Sequence, residues 1–320
     1  MRPIHNPPSE NANTPRRREP GMQQRQQQLA LAACLTGLSL ALLLSAVHWR
    51  RRRRPRLTFY DRKSSNNSAR IRLWAYLRDR EDLFTVQPTT HTVQRTDEFE
   101  SVNPFLKVPA LILEHADGSR GFLAEAAIML EYLEDAHGPW IGPSLLPTVP
   151  ETRAHMNLVI RCHDLYLASP NCTQPGPFTH SQGCMYVAPP GGKHCTDRWI
   201  GRAERAAKLA ECWKQLDVLE SLMRGPYFCG ARQSLADLAV YPTMVFFAFY
   251  PQRVFGWAED ALWHGRPKLR AWYETAMPAH AAARRVHDEL LQTLHAKAAS
   301  GILDEIVEET RDPAFKWVYP

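Results

Sequence analysis

The sequence predicts an α/β domain joined to an all-α domain, with a single transmembrane helix ahead of both. Three observations carry this. Between Arg56 and His137 short β-prone runs alternate with helical patterns, in the order β-α-β…β-β-α. From Glu151 onward the apolar spacing is mainly helical. Near the N-terminus, Leu29 to Val47 is a run of 19 residues without a charge. A chain of 320 residues suits about two folded domains, and 44% hydrophobic residues suffice for a substantial core.

Residues 1–28 are rich in Pro, Asn, Gln and Arg and almost free of large apolar side chains, so a disordered tail is expected there. As a helix, the uncharged run would be roughly 28 Å long, close to the thickness of a bilayer's hydrocarbon. Trp49 ends it where an interfacial aromatic belongs, Arg50 to Arg54 follow, and Pro55 stops the helix. Residues 29–49 are therefore expected to anchor the chain in a membrane and residues 50–55 to form a basic stop. The positive-inside rule then places the folded domains in the cytosol. A cleaved presequence or an organelle envelope is the alternative; a secretory signal has a shorter apolar core and a small-residue cleavage site. The arginine run accounts for much of the net charge of +6, so the charge does not point to nucleic acid. Cysteines are odd in number, irregularly spaced and without a CxxC, which suggests free thiols in a reducing compartment.

The α/β domain is expected over residues 56–137. Arg56 to Tyr60 is a strand, and Ala69 to Leu77 a helix with Ile71, Leu73, Trp74 and Leu77 on its buried face. Phe84 to Val86 is the next strand. Val108-Pro109 opens another, Ala110 to Glu114, since a proline lacks the ladder donor and suits the head of a strand. A turn from His115 to Arg120 leads to a strand ending at Leu123. A helix then starts at Glu125, with Ile128, Leu130 and Leu133 as its apolar residues. A helix that begins straight after a strand points free N–H groups at whatever lies there, and favours a carboxylate.

The segments Asn103-Pro104-Phe105-Leu106-Lys107-Val108-Pro109-Ala110-Leu111 and Leu123-Ala124-Glu125-Ala126-Ala127-Ile128 closely resemble the glutathione-binding half of the cytosolic glutathione transferases. The resemblance implies a thioredoxin-like domain and a cis bond at Pro109. It also implies that the Val108 backbone pairs with the cysteinyl part of glutathione, and that Glu125-Ala126 holds the γ-glutamyl end. The family has Glu or Gln followed by Ser at that pair. Ala126 lacks the hydroxyl but keeps its backbone N–H. Lys107 is placed to reach the glycyl carboxylate; equally, it suits a solvated surface position.

The loop Ser64-Ser65-Asn66-Asn67-Ser68-Ala69-Arg70-Ile71-Arg72 resembles the serine-rich loops of the theta and zeta classes. Counted back from the Arg70-Ile71-Arg72 helix start, Ser65 is the expected catalytic residue, with Ser64 and Ser68 as the other candidates. A thiol ionises near a pKa of about 8.5, and only the thiolate attacks. A hydroxyl donor at the positive end of a helix stabilises that anion. One charge-assisted hydrogen bond contributes roughly 1.5–3 kcal/mol, or about one to two pKa units. Taken alone, serines ahead of a helix are ordinarily caps; the downstream motifs add the catalytic reading. The loop has no cysteine, which sets aside the thiol-exchange members, and Tyr60 lies inside the first strand.

Residues 138–150, rich in Pro and Gly, read as a linker. Residues 151–300 are expected to form the all-helical domain, with helices over Thr152–Leu167 and Arg198–Met223, an insertion at 168–197, and a tail at 301–320. Ser234 and Asp237 form a capping box that resembles the family's folding signature. Pro267 to Tyr273 matches a later family helix, so the resemblance runs from about Leu57 to about His287. Cys172, His180, Cys184, His194 and Cys195 of the insertion fit no familiar metal spacing, and no metal is expected. His163, Asp164 and Tyr166 either border an acceptor pocket or are ordinary exposed and packing residues. The resemblance implies a membrane-anchored glutathione transferase, dimeric in the family's manner, that joins glutathione as co-substrate to a hydrophobic electrophile. A zeta-like glutathione-dependent isomerase and a non-catalytic binding or assembly module are the alternatives.

Overall fold

The computed structural model describes residues 54–90, 92–138, 142–168, 202–301 and 303–312. The expected tail, anchor and most of the basic stop, nearly all of the 168–197 insertion with its Cys and His residues, and the aromatic C-terminus lie outside them. Among the described residues no helix is long and apolar enough to cross a membrane.

β1 (Arg56–Asp61) alternates as a half-buried strand should, with Leu57 and Phe59 in the core. It pairs in parallel with β2 (Phe84–Pro88) and antiparallel with β3 (Ala110–Glu114), and β3 pairs antiparallel with β4 (Arg120–Leu123). The sheet order is β2-β1-β3-β4. Between β2 and β3 lies a short helix that the apolar pattern did not announce, α2 (Asp97–Val102), capped by Thr96.

The crossover helix α1 spans Asn66–Leu77 and starts three residues earlier than expected. The cause is local. Ser65 is extended and its Oγ accepts the N–H of Ser68 at 3.2 Å, so Asn66, Asn67 and Ser68 form the first turn. The helix is buried on nearly every side, because it packs on α3 and on two helices of the second domain. Arg70 and Arg72 are therefore interior residues alongside Ile71, Leu73 and Trp74.

α3 (Ala126–His137) buries Met129, Leu130 and Leu133. Ile128, the remaining apolar residue named in the sequence, is 51% exposed. It sits about 200° around the helix from Leu130, on the opposite face. The Glu134 carboxylate accepts Trp74 Nε1 at 2.9 Å, Arg78 Nε at 3.2 Å and the Leu145 N–H at 2.8 Å, so it joins α1, α3 and the linker.

The second domain is helical: α4 (Pro150–Cys162), α5 (Arg202–Leu222), α6 (Leu235–Phe255), α7 (Pro267–Ala271), α8 (Ala281–Ala299) and α9 (Asp304–Thr310). α4 continues as a wide π-helical turn, His163–Leu167. α6 is apolar all round and forms the centre, packing on α1, α4 and α8. Its start is the expected capping box. Asp237 accepts the Ser234 N–H at 2.8 Å, the Phe228 N–H at 3.1 Å and Trp272 Nε1 at 2.9 Å. Polar bridges also join the domains: Arg72 Nε donates to Glu289 at 2.9 Å, and Tyr76 donates to the same carboxylate at 2.8 Å.

Candidate functional site

The loop ahead of β3 is built by a buried amide. Asn103 is sealed from solvent; its Nδ2 donates to the Lys107 carbonyl at 2.7 Å and its Oδ1 accepts the Phe105 N–H at 3.2 Å. Gln94 Nε2 holds the Leu106 carbonyl at 3.0 Å, and Leu106 itself has φ 52°. The loop delivers Val108 to a cis peptide bond with Pro109, as the sequence resemblance implied. Past that bond the chain enters β3. Among the described residues nothing hydrogen-bonds to the Val108 backbone. An extended ligand could therefore pair with it as an added strand does.

Across from this loop, β4 runs straight into α3. Glu125 stands at the junction with φ 66° and ψ 113°, and no side chain caps the helix. A non-glycine residue at that φ costs on the order of 1–3 kcal/mol, and such outliers cluster at ligand clamps. The first N–H groups of α3, Ala126 included, have no partner within the helix. They are suited to a carboxylate.

These two edges share one open cleft. The pre-strand loop contributes Phe105, Lys107, Val108 and Pro109, and the start of α3 contributes Glu125 and Ala126 with the preceding Ala124. Five residues expected from the sequence, Lys107, Val108, Pro109, Glu125 and Ala126, are thus brought together. The serines are not: Ser64, Ser65 and Ser68 are absent from the lining. Ser65 is occupied as the cap of α1, and Ser68 is fully buried, its Oγ accepting the Arg62 N–H at 3.3 Å. The early start of α1 turns Asn67 and Arg70 toward the cleft instead. The signal for that pair was present in the sequence as their i, i+3 spacing on one helix face.

The far wall belongs to the helical domain, through Asp164 and Ala168. Of the bordering residues expected on α4, Asp164 lines the cleft, His163 is buried behind it, and Tyr166 lies 50% exposed outside the lining. Arg70 Nη2 donates to Asp164 Oδ1 at 2.8 Å and approaches His163 Nδ1 at 3.0 Å. His163 Nδ1 is 2.9 Å from the same carboxylate oxygen, and Nε2 is 2.8 Å from Thr243 Oγ1, which accepts Asn66 Nδ2 at 2.7 Å. Burial and the adjacent Arg70 cation push the His163 imidazole down, so the ring is neutral. Burial alone would raise the Asp164 carboxyl, but the Arg70 guanidinium and His163 hold it well below the usual carboxylate range. The cleft is therefore lined by two basic side chains, Arg70 and Lys107, and two acidic ones, Glu125 and Asp164.

Among the described residues no group of His, Cys, Asp and Glu side chains is placed to hold a metal ion.

Known proteins resemble this chain in sequence pattern and in fold. Residues 64–136 match the family model of the glutathione S-transferase N-terminal domain, and residues 202–275 that of the C-terminal domain. No curated protein matches the sequence. Solved structures share the fold. Glutathione transferase Omega 3C from Trametes versicolor is 22% identical with a TM-score of 0.52, covering 72% of this chain and 88% of its own. Poplar glutathione transferase F1 is 18% identical with a TM-score of 0.55, covering 74% and 98%. A glutathione transferase from Burkholderia graminis, solved with two glutathione molecules bound per subunit, is 23% identical with a TM-score of 0.52, covering 73% and 88%. Both domain models match in order, the first over the thioredoxin-like domain and the second over the helical domain, so this chain is similar to the glutathione S-transferases in both of its domains.

Proposed function

We propose that this protein is a glutathione transferase that joins glutathione, the co-substrate that glutathione S-transferases use, to an electrophilic acceptor. One observation carries the reading. The unpaired Val108 backbone, the out-of-region Glu125 and the free N–H of Ala126 face a single cleft. Val108 would pair with the cysteinyl backbone, Ala126 N–H and Glu125 would take the γ-glutamyl carboxylate and ammonium, and Lys107 the glycyl carboxylate. That leaves the sulfur at the first turn of α1, where free backbone N–H groups favour the thiolate. Ser65 stands at that turn. Its Oγ accepts from Ser68, and its own hydrogen is left to donate.

The acceptor is a hydrophobic electrophile in this account, which suits a chain whose uncharged run 29–47 and following arginines support a single-pass anchor. The folded domains then face the cytosol and meet acceptors that partition into lipid. Dimerisation follows the family's habit, and the exposed Phe122 and Ile128 on β4 and α3 are apolar residues such an interface would cover. A non-catalytic binding module is the second reading, favoured by Ala126 standing where the family has Ser. Retention of the full-length protein on immobilised glutathione, together with turnover of a chloronitrobenzene, separates them. The transferase reading expects both; retention without turnover supports the module, and neither overturns the assigned glutathione site.

A further inference from the structure

The cleft has more polar groups than glutathione's own ends require. Glu125, Ala126, Val108 and Lys107 account for the tripeptide's charged and backbone groups. Asn67, Arg70 and Asp164 remain, on the side formed by the body of α1 and the end of α4. Asn67 is half-buried at the second position of α1, and among the described residues its side-chain amide makes no hydrogen bond. Arg70 lies one turn further on the same face. It is 1% exposed, yet its Nε–H has no hydrogen-bond partner. A sealed, unsatisfied donor on a charged group is costly, and native structures seldom keep one without reason.

We propose that Asn67 and Arg70 are the principal stabilisers of the glutathione thiolate in this protein, and that Asp164, from the helical domain, sets how much of Arg70's charge the sulfur feels. This rests on the glutathione reading above and names side chains that act beside Ser65. Asn67 supplies a donor within reach of an atom held at the first turn of α1. Arg70 supplies a fixed positive charge one turn behind it. The Asp164 carboxylate at 2.8 Å partly cancels that charge and holds the guanidinium in place. His163 and Thr243 fix Asp164 in turn. With the ring neutral, the carboxylate is the stronger acceptor for Nδ1–H, and Nε2 then accepts the Thr243 hydroxyl. Asn66, the neighbour of Asn67, closes the chain by donating to Thr243. The network thus spans α1, α4 and α6, so this wall of the site is complete only with both domains docked. The charged groups facing the sulfur are Arg70 from α1, Lys107 from the loop, Glu125 from the start of α3 and Asp164 from the end of α4. The proton leaves to water through the open mouth of the cleft.

The test is the pKa of the bound thiol, read from the ultraviolet absorbance of the thiolate in glutathione-saturated full-length protein, with the pH profile of kcat/KM beside it. Asn67→Ala is expected to raise that pKa by about one and to lower kcat at neutral pH about tenfold, with a smaller effect on KM for glutathione. Asn67→Asp, which places a like charge there, raises it further. Asp164→Asn removes the counter-charge at nearly constant shape and is expected to lower the pKa, a sign that mere loosening of the wall does not produce. Ser65→Ala moves it less than Asn67→Ala. If Ser65→Ala alone shifts the pKa and the Asn67 variants do not, the assignment is overturned while the transferase reading stands. An Asp164→Asn protein with an unchanged or raised pKa removes the charge-setting role of Asp164. A wild-type protein that neither binds glutathione nor turns over acceptor sinks the reading and this inference together.

Discussion

Two helix starts in this molecule face the same problem and solve it oppositely. Every α-helix leaves its first N–H groups without internal partners. At α6, Asp237 turns back on its own start and accepts from Ser234 N–H, Ser234 Oγ, Phe228 N–H and Trp272 Nε1, all inside the core. At α3, Glu125 is held at φ 66°, caps nothing, and leaves the helix start open to a cleft. The closed end spends its polar groups on folding. The open end keeps them for a ligand, at some cost in backbone strain.

The sharpest way to break the contrast is to empty the closed end. Asp237→Ala strands donors in a fully buried place and should destabilise the chain by about 3–5 kcal/mol in urea unfolding, leaving glutathione affinity of the folded fraction intact. The same carboxylate gives a pH signature. Burial pushes Asp237 up to about 6, against the pull of its donors, so the folded chain takes up its proton before the unfolded chain does. The sign follows: with a folded pKa above the unfolded value of about 3.9, its contribution to stability is greatest below about pH 4 and falls as pH rises to about 6. Asp237→Asn should lack that slope, whose full extent is at most about 3 kcal/mol; parallel slopes in unfolding series at several pH values would contradict this.

The open end should respond with the opposite sign. Glu125→Gly relieves the unfavourable φ and should raise stability by about 1 kcal/mol, net of glycine's entropy, while weakening glutathione binding at least about tenfold. A variant that loses both stability and affinity would mean that Glu125 serves the fold. The smallest effect is expected from Ala126→Ser, which restores the family's hydroxyl. It should tighten glutathione by about 1 kcal/mol, roughly fivefold, with little change in melting temperature.

Much of this was legible in the chain. Val108-Pro109 ahead of β3 and Glu125 at the head of α3 are local signals, written in neighbouring residues, and the structure brings them to one cleft. The Ser234–Asp237 box is equally local. Less legible was where α1 begins. Ser, Asn, Asn and Ser are all acceptable caps, and the shift from Ala69 to Asn66 brings Asn67 into the lining of the cleft. The pairing of Arg70 with Asp164 spans both domains, and no local pattern announces a contact across that separation.

The most direct test of the central claim is a crystal structure of the protein with glutathione. The account predicts the γ-glutamyl carboxylate on the Ala126 N–H, the cysteinyl backbone paired with Val108, and the sulfur at the first turn of α1. Glutathione bound elsewhere, or a cleft left empty at saturating glutathione, would contradict it.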